Sequence, residues 1–307
     1  MTETPTHANI AIFGEVLIDQ FPDGQQVLGG APFNVAWHLQ AFGLAPTLIS
    51  RIGHDATGAD IQQAMHAWGL STHALQIDPI HPTGTVAVSF KAGEPHYEIL
   101  SEQAYDFIEV DNLALSTPYN IIYHGTLALR QSVSATTLNT LLAKSQRKVF
   151  IDVNLRAPWW ELNTVQSYLK SAHWVKLNED ELIHLSAPQK SFKATLQAFL
   201  TDYELEVLIV TRGEKGATAL SQSGEFIEVT PTHQVTIVDT VGAGDAFAAV
   251  LLLGLNADWP LDLTLNRAQE FASATLTQQG ATIQNPDFYQ AFIDTYQLNV
   301  LSPPESH

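Results

Sequence analysis

The residues best suited to chemistry stand together in one short stretch, Gly242-Ala243-Gly244-Asp245. An apolar run from Ala246 to Leu255 follows it, which predicts that the stretch opens a buried helix. The start of a helix presents backbone N–H groups without intrahelical partners, so it can bind phosphate or a developing negative charge. Asp245, at the same point, is suited to removing a proton from a hydroxyl group that then attacks a phosphate.

From the residues alone a simpler role for Asp245 stays open, because aspartate commonly caps a helix by accepting from its first N–H groups. The longer string Asp239–Phe247, however, closely resembles the C-terminal signature of the ribokinase-like (PfkB) carbohydrate kinases. A second string, Gly29–Ala36, resembles the N-terminal signature of the same family. Two specific signatures in the family's order argue against a chance match, and the resemblance extends from Gly14 to about Gly280.

The resemblance implies the chemistry of the C-terminal signature. Asp245 matches the family's general base, which removes the proton from a sugar hydroxyl group. Gly242, Ala243 and Gly244 match the family's anion hole, whose backbone N–H groups hold the charge of the moving phosphoryl group. Asp239, at the start of the string, is the candidate residue for a monovalent cation such as K⁺.

A segment further along the chain bears on that cation. Gly280 and Ala281 resemble the part of the family's pattern that encloses the adenine and the monovalent cation. Gln284 departs from the pattern, because some members carry a small hydroxyl ligand there. The sequence therefore leaves the presence of a potassium site open.

The sugar contacts of the family fall on Asp19, Gly30 and Asn34 of this sequence. Carboxylate and amide side chains suit a polyol, because they accept from and donate to neighbouring hydroxyl groups. The string Asp152–Arg156 is similar to one found in fructokinases and 2-keto-3-deoxygluconate kinases. Its arginine lies near the sugar or the transferred phosphate there, so the resemblance implies that role for Arg156.

The resemblance also implies residues for the co-substrate ATP and for Mg²⁺. Asn178 and Glu181 match an Asn-x-x-Glu element that organises Mg²⁺ near the triphosphate, largely through water. A hydrated Mg²⁺ needs few direct protein ligands, so one carboxylate that contacts the ion through water is chemically adequate. Asn178 is also assigned to ATP binding, together with Thr211, Gly213 and Gly216 in a turn similar to the family's nucleotide-binding turn.

The elements that position these residues follow from hydrophobic patterning. Strands are predicted at 120–124, 148–153 and 173–177, and helices at 132–146, 163–171 and 179–186. Such alternation indicates a parallel sheet covered on both faces, with ligands at the carboxyl ends of the strands. A further strand is predicted to end at Thr236–Val238, just before the glycine-rich stretch.

Two hairpins, at 16–28 and 83–100, interrupt this regular pattern. They predict a small β lid over the substrate, which the resemblance also associates with a homodimer. The expected architecture is therefore a ribokinase-like three-layer α/β fold with a mainly parallel central sheet. Residues 1–307 are expected to form one kinase domain, with the lid inserted in it.

Composition restricts the partners of the chain. It carries 14 Lys and Arg residues against 32 Asp and Glu residues, a formal net charge of −18. Such a chain repels polyanions, which argues against binding nucleic acid or an anionic membrane surface. It has no cysteine, which excludes disulfides, and no secretion signal is visible at its start. These features predict a cytoplasmic protein whose partner is a small molecule.

The sequence predicts an ATP-dependent carbohydrate kinase, and the resemblance is strongest to fructokinases, which form fructose 6-phosphate. Two alternatives stay open. The substrate could be another small sugar or sugar acid, such as 2-keto-3-deoxygluconate. The chain could also be a catalytically silent sensor of a sugar or nucleotide, although such a protein often loses the residue that matches Asp245.

Overall fold

The structure is a computed structural model that describes residues 9–91, 94–110, 119–143, 147–232 and 235–298. The described strands are β1 (Ile10–Phe13), β2 (Leu17–Gln20), β3 (Gln26–Gly29), β4 (Thr47–Gly53), β5 (Leu75–Asp78), β6 (Gly84–Lys91), β7 (Glu94–Ile99), β8 (Ile121–His124), β9 (Lys148–Asp152), β10 (Trp174–Asn178), β11 (Val207–Thr211), β12 (Ala217–Ser221) and β13 (Phe226–Val229). The described helices are α1 (Ala31–Ala41), α2 (Ala56–Ala67), α3 (Ser132–Leu142), α4 (Leu162–Leu169), α5 (Glu179–Leu185), α6 (Phe192–Asp202), α7 (Ala243–Asn256), α8 (Leu261–Thr275) and α9 (Pro286–Tyr296).

The larger sheet is mainly parallel, as predicted. Its strand order is β13-β12-β11-β10-β9-β8-β1-β4-β5, and all neighbours from β11 to β5 run parallel. Only β12 and β13, at one edge of the described sheet, are antiparallel to their neighbours. The carboxyl ends of β1, β8, β9, β10 and β11 therefore meet at one edge, where open α/β sheets bind ligands.

Helices cover both faces of this sheet, which gives three layers. Alternate residues of β1 enter opposite cores, Ile10 and Ile12 one of them and Ala11 and Phe13 the other. The first core includes apolar side chains of α1, α7 and α8, and the second includes those of α3, α4 and α6. Burial on both faces explains why β1 is a continuous apolar run rather than an alternating one.

Helix α7 is buried along most of its length. Every residue from Ala246 to Gly254 is buried, so the apolar run of the sequence lies inside the protein rather than in a membrane. No helix of the described chain is long and apolar enough to cross a membrane. The start of α7 is consequently held in place by its packing against α1 and α8.

The two inserted hairpins form a separate sheet, as predicted. Its order is β3-β2-β6-β7, and the hairpins β2–β3 and β6–β7 join through a parallel pairing of β2 with β6. Leu17 pairs with Gly84 in this register. Residues 92 and 93, in the predicted turn of the second hairpin, lie outside the described residues. We call this four-stranded sheet the small sheet.

One predicted strand is wrong. Residues 235–240 form no strand, because the backbone N–H groups of Val238 and Asp239 donate to the carbonyl of Leu276 at the end of α8. The apolar side chains of Ile237 and Val238 are mostly exposed, which explains the misleading strand-like pattern. Helix α3 ends at Leu142 in the described chain, and residues 144–146 of the longer predicted helix lie outside the described residues.

Candidate active site

The start of α7 is shaped by a close backbone approach. Gly242 has φ of +80°, and a Cβ atom there would lie 2.3 Å from the Cβ atom of Ala281. Only glycine fits both the left-handed conformation and the contact, so the segment around residue 281 packs directly against the helix start. Asp239 ties the same two segments together, because its carboxylate accepts from the N–H groups of Val241 and Gly280, each at 3.0 Å.

Asp245 does not cap the helix. The cap position of α7 is Gly242, and Asp245 is the third residue of the helix, with no cap hydrogen bond to the backbone. Its carboxylate instead accepts a hydrogen bond of 2.8 Å from the side-chain amide of Asn34. The alternative interpretation of Asp245 as a helix cap is therefore wrong, and its carboxylate is oriented by α1 across the site.

Asp245 is a weaker acid than an ordinary aspartic acid. Burial raises the pKa of its carboxyl to about 6, the hydrogen bond from Asn34 lowers it, and Asp152 raises it. Lys176 and Arg156 lower the same pKa. A carboxyl with this pKa is mostly ionised at neutral pH and is still a better proton acceptor than a free aspartate, as a general base requires.

A buried ion pair lies beside the start of α7, and sequence reasoning assigned it no role. The Lys176 ammonium donates to both carboxylate oxygens of Asp152, at 2.9 and 2.8 Å, and the Tyr123 hydroxyl donates to Asp152 at 3.2 Å. The Lys176 nitrogen lies 3.6 Å from where a Cβ of Gly244 would be. Positive charge therefore underlies the predicted anion hole. The signal was available, since the apolar strands β9 and β10 carry opposite charges near their carboxyl ends, and the two residues pair in register.

Two cavities meet at the start of α7. The first, of about 820 Å³, lies between the turn after β11, residues 231–232 and 235–240, and α8. The second, of about 830 Å³, lies between the carboxyl ends of the parallel strands and the small sheet. Thr211, Thr240 and Gly244 line both cavities. A group passing from one cavity to the other would therefore cross the exposed N–H groups of the helix start.

The structure brings together all the residues predicted to bind sugar. Asp19, Gly30, Asn34 and Arg156 line the second cavity with Asp245. The small sheet supplies Asp19, and burial raises the pKa of its carboxyl to about 6. Arg156 is exposed and makes no ion pair within the described chain, so its guanidinium is available to a ligand.

The residues predicted to bind ATP are divided between the cavities. Thr211, Gly213 and Gly216 line the first cavity, whereas Asn178 lines the second. Gly213 has φ of +57° and no atom near its missing Cβ, so its surface is open. A Cβ on Gly216 would lie 1.9 Å from the Val229 carbonyl oxygen, so packing of β13 alone accounts for that glycine.

Asn178 and Glu181 have a structural role that sequence reasoning missed. They form a capping box at the start of α5, in which each side chain accepts from the other's backbone N–H at 2.8 Å. The second oxygen of Glu181 accepts from the N–H of Leu155 at 2.7 Å. The Asn-x-x-Glu spacing is itself a signal for such a box, so the pattern could have been interpreted from the sequence.

The donor set fits a hydrated Mg²⁺ and not a metal enclosed by protein ligands. The described residues contain no group of three or more metal-binding side chains. Glu181 is buried at the edge of the second cavity, and each oxygen that accepts one N–H keeps a lone pair for a water molecule. Magnesium retains several waters in most protein sites, so this single carboxylate is compatible with it.

The structure supports the predicted site for a monovalent cation less strongly than the predicted Mg²⁺ site. Both carboxylate oxygens of Asp239 already accept backbone N–H groups, which suits a loop brace as well as a cation ligand. Gln284 is exposed and lines neither of the two cavities. The monovalent cation stays a prediction.

Comparison with known proteins identifies the family. The pfkB family carbohydrate kinase model matches residues 6–287, so the chain belongs to this family. This membership confirms the predicted class of enzyme, an ATP-dependent carbohydrate kinase. It also confirms the predicted ribokinase-like α/β fold, together with the observed sheets and layers.

Individual relatives agree with the family. The chain is 28% identical over 300 residues to the fructokinase of Salmonella typhimurium, covering 91% of this chain and 97% of that protein. A double mutant of Vibrio cholerae fructokinase, solved with fructose, ADP and a potassium ion, is 25% identical with a TM-score of 0.78 and covers 94% of this chain and 99% of its own. Xylella fastidiosa fructokinase with bound ATP shares the fold, with a TM-score of 0.83 and 21% identity, over 94% of this chain and 99% of its own.

Proposed function

We propose that this kinase transfers the terminal phosphoryl group of ATP to the primary hydroxyl group of a neutral sugar, and that the sugar is fructose. The observation that carries the proposal is the Asp245–Asn34 pair, which lines the second cavity next to Gly244, a residue that lines both cavities. The comparisons with known proteins support it, since a relative that is 28% identical is a fructokinase and a structure that is 25% identical holds fructose and ADP. Each substrate then occupies one cavity, and the phosphoryl group crosses between them.

Asp245 accepts the proton of the sugar hydroxyl in the proposed reaction. The hydroxyl oxygen then bonds to the terminal phosphorus of ATP, and the bond from that phosphorus to the bridging oxygen of ADP breaks. Asn34 keeps the carboxylate turned towards the second cavity through its hydrogen bond of 2.8 Å. The proton ends on Asp245 and the negative charge of the leaving group ends on ADP.

Positive groups around the start of α7 stabilise the moving charge. The N–H groups of Gly242, Ala243 and Gly244 form the proposed anion hole, with the positive end of the helix dipole behind them. Arg156 adds charge from the side of the second cavity, and the ammonium of Lys176, although paired with Asp152, lies next to Gly244. A hydrated Mg²⁺ held through Glu181 would neutralise phosphate charge and align the triphosphate.

The remaining predicted residues bind the two substrates. In the proposed site Asp19, Gly30 and Asn34 hold the sugar, and Gly30 packs so closely against the backbone of Glu15 that a side chain would not fit there. Asn178, Thr211, Gly213 and Gly216 line the path of the nucleotide, as side chains or as backbone. Asp239 braces the loop that would enclose a monovalent cation.

The charge of the second cavity favours a neutral sugar over a sugar acid. Burial raises the pKa of both Glu15 and Asp19, which shows that this end of the cavity disfavours negative charge. Of the cations that line the cavity, Lys176 is already paired with Asp152. Arg156 is required by the phosphoryl group in the proposed reaction, so the carboxylate of 2-keto-3-deoxygluconate would have no cation of its own.

A coupled ADP-release assay over a panel of acceptors tests this function. The panel contains fructose, glucose, ribose, 2-keto-3-deoxygluconate and a nucleoside, each with ATP and Mg²⁺. We expect the highest kcat/KM with fructose. Preference for the sugar acid would refute the neutral-sugar assignment, and sugar binding by calorimetry without any ADP release would make the protein a sensor.

A further inference from the structure

Glu15 is a buried carboxyl group to which neither the sequence nor the proposed reaction assigns a role. It lies two residues after the end of β1, and only 3% of the residue is exposed. Its Oε2 atom has no hydrogen-bond partner within the described protein. A buried polar atom without a partner destabilises a fold, so such an atom requires an explanation, and a bound ligand is one.

The free oxygen belongs to a residue that lines the second cavity. Glu15 lies there with Asp19, Asn34 and Asp245. Two arginines act electrostatically on Glu15, and one of them, Arg130, pairs with Asp106 at 2.7 Å while its Nη1 atom keeps no partner. Arg156 donates only a long hydrogen bond, of 3.4 Å, to the carbonyl of Leu155 within the described chain. Neither arginine hydrogen-bonds Glu15 in the described chain, so a hydroxyl group that enters the cavity is a candidate partner for this carboxyl group.

The backbone of Glu15 is fixed by two close approaches. A Cβ atom on Gly30 would lie 2.7 Å from the Glu15 carbonyl oxygen, and one on Gly14 would lie 2.5 Å from the ring of Pro32. The end of β1 is thus clamped against the first turn of α1. A side chain that starts from so rigid a backbone is well placed to recognise one group of a ligand.

The protonation of Glu15 suits a hydroxyl group and opposes an anion. Burial raises the pKa of its carboxyl to about 7, against the lowering effects of its own backbone N–H and of Arg156. At neutral pH the group therefore exists both as carboxylate and as carboxylic acid. The carboxylate accepts from a hydroxyl group and the acid donates to one, so either form can bind a polyol.

We propose that Glu15 is a specificity-determining residue, whose free carboxyl oxygen hydrogen-bonds one non-reacting hydroxyl group of the bound sugar. The proposal rests on the proposed function, because it assigns a contact within the same sugar site. It predicts that the kinase rejects a sugar that lacks this hydroxyl group. Glu15 would then act beside Asp19 and Asn34 in binding rather than in proton transfer.

Two substitutions separate binding from folding. Glu15→Met keeps the length of the side chain and removes all hydrogen bonding, and Glu15→Gln keeps its shape and polarity. Since Oε2 has no partner in the protein, we expect Glu15→Met to melt at or above the wild-type temperature. Glu225→Met, an exposed substitution between β12 and β13 that lies outside the lining of both cavities, is the matched control.

The decisive measurement is kcat/KM of wild type and variants with fructose and with analogues that each lack one non-reacting hydroxyl group. We expect Glu15→Met to lower kcat/KM for fructose by at least about tenfold, chiefly through KM, because a buried hydrogen bond is lost. The analogue that lacks the hydroxyl group bound by Glu15 should be a poor substrate of wild type. Glu15→Met should lower kcat/KM for this analogue no further, because the hydrogen bond is already absent. Glu15→Gln should fall between the two, and Glu225→Met should match wild type.

Two results would overturn the proposal. One is an equal loss in Glu15→Met for fructose and for every analogue, which would mean a structural role. The other is unchanged kinetics in both Glu15 variants. Failure of the proposed function is a different observation, namely a wild-type enzyme that does not phosphorylate fructose. The same comparison is then made with the sugar that wild type does accept, and a loss confined to one hydroxyl group supports the role of Glu15.

Discussion

Asp245 is the residue on which the proposed proton transfer depends. Asp245→Asn preserves the size of the side chain and removes its ability to accept a proton. General-base catalysis contributes typically about 10²–10⁴-fold, so we predict that kcat falls by at least that order. ATP affinity should be retained, because the proposed anion hole consists of backbone N–H groups. Steady-state kinetics and nucleotide binding by calorimetry measure the two quantities.

Thermal stability of the same variant is the control. The cap of α7 is Gly242, so Asp245→Asn removes no capping interaction, and the melting temperature should stay near that of wild type. A variant that melts normally and retains wild-type turnover would contradict the assignment of Asp245 as the base.

The raised pKa of Asp245 gives a pH dependence of activity. The proposed base is active when ionised, so kcat/KM should be constant at neutral pH and fall as the pH drops through about 6. The hydrogen bond from Asn34 lowers this pKa. Asn34→Ala should therefore shift the acidic limb of the profile to higher pH, in addition to raising the KM for sugar by roughly tenfold or more.

Asp19→Asn is the matched control for this shift. It alters another residue of the proposed sugar site, and Asp19 is not among the groups that set the pKa of Asp245. We expect Asp19→Asn to raise the KM for sugar and to leave the acidic limb in place. Equal profiles for Asn34→Ala and Asp19→Asn would show that Asn34 does not tune the base.

At the scale of elements, the start of α7 depends on a glycine contact. Gly242 and Gly24 both have positive φ, +80° and +88°, but only Gly242 lies against another segment. Alanine at either position stores conformational strain of about 1–2 kcal/mol. We predict that Gly242→Ala also displaces the helix start from Ala281 and lowers kcat, whereas Gly24→Ala lowers stability alone. Kinetics and thermal melting of both variants distinguish strain from displacement, and equal kinetics would refute the role of this contact.

The small sheet is the element predicted to close over the sugar. Its β2, β3, β6 and β7 strands place Leu17, Asp19, Val27, Tyr97 and other side chains on the second cavity. Closure would exclude water, which otherwise competes as phosphoryl acceptor. We predict that saturating sugar slows amide hydrogen exchange in both hairpins of this sheet.

The antiparallel pair β12–β13 serves as an internal reference for the exchange experiment. It lies at the edge of the large sheet and contributes no residue to the lining of the second cavity. Its exchange rates should not change with sugar. Absence of protection in the small sheet, with sugar binding confirmed by calorimetry, would remove its assignment as a lid.

At the scale of the whole molecule, the class of sugar that binds should determine how far the melting temperature rises. A ligand that binds only the folded state, at 100 times its Kd, stabilises that state by about 2.7 kcal/mol. For a domain of 150–250 residues about 1 kcal/mol shifts Tm by roughly 2–4 °C, so a rise of several degrees is expected here. We predict this rise with fructose and none with 2-keto-3-deoxygluconate at the same concentration, measured by scanning calorimetry. A larger rise with the sugar acid would contradict the neutral-sugar proposal.

Local signals in the chain were sufficient for much of the architecture and for the candidate site. Apolar runs such as Ile10–Phe13 predict strands of a buried parallel sheet, because a strand buried on both faces has no polar positions. Asp245 and the glycines before it could be singled out because the longer string Asp239–Phe247 resembles a family signature, whereas the residues alone left a helix cap open. Strand existence and the two inserted hairpins could therefore be predicted.

Contacts between distant segments were decided only by the tertiary structure. The hydrogen-bond partner of Asp245 is Asn34, which is 211 positions away along the chain. The strand predicted at residues 236–238 failed because those N–H groups bond to the end of α8. The pairing of Lys176 with Asp152 and the free oxygen of Glu15 likewise depend on which segments meet. The sequence determines which groups can form hydrogen bonds, whereas the fold determines which partners they meet. The Oε2 atom of Glu15 meets no partner within the described protein.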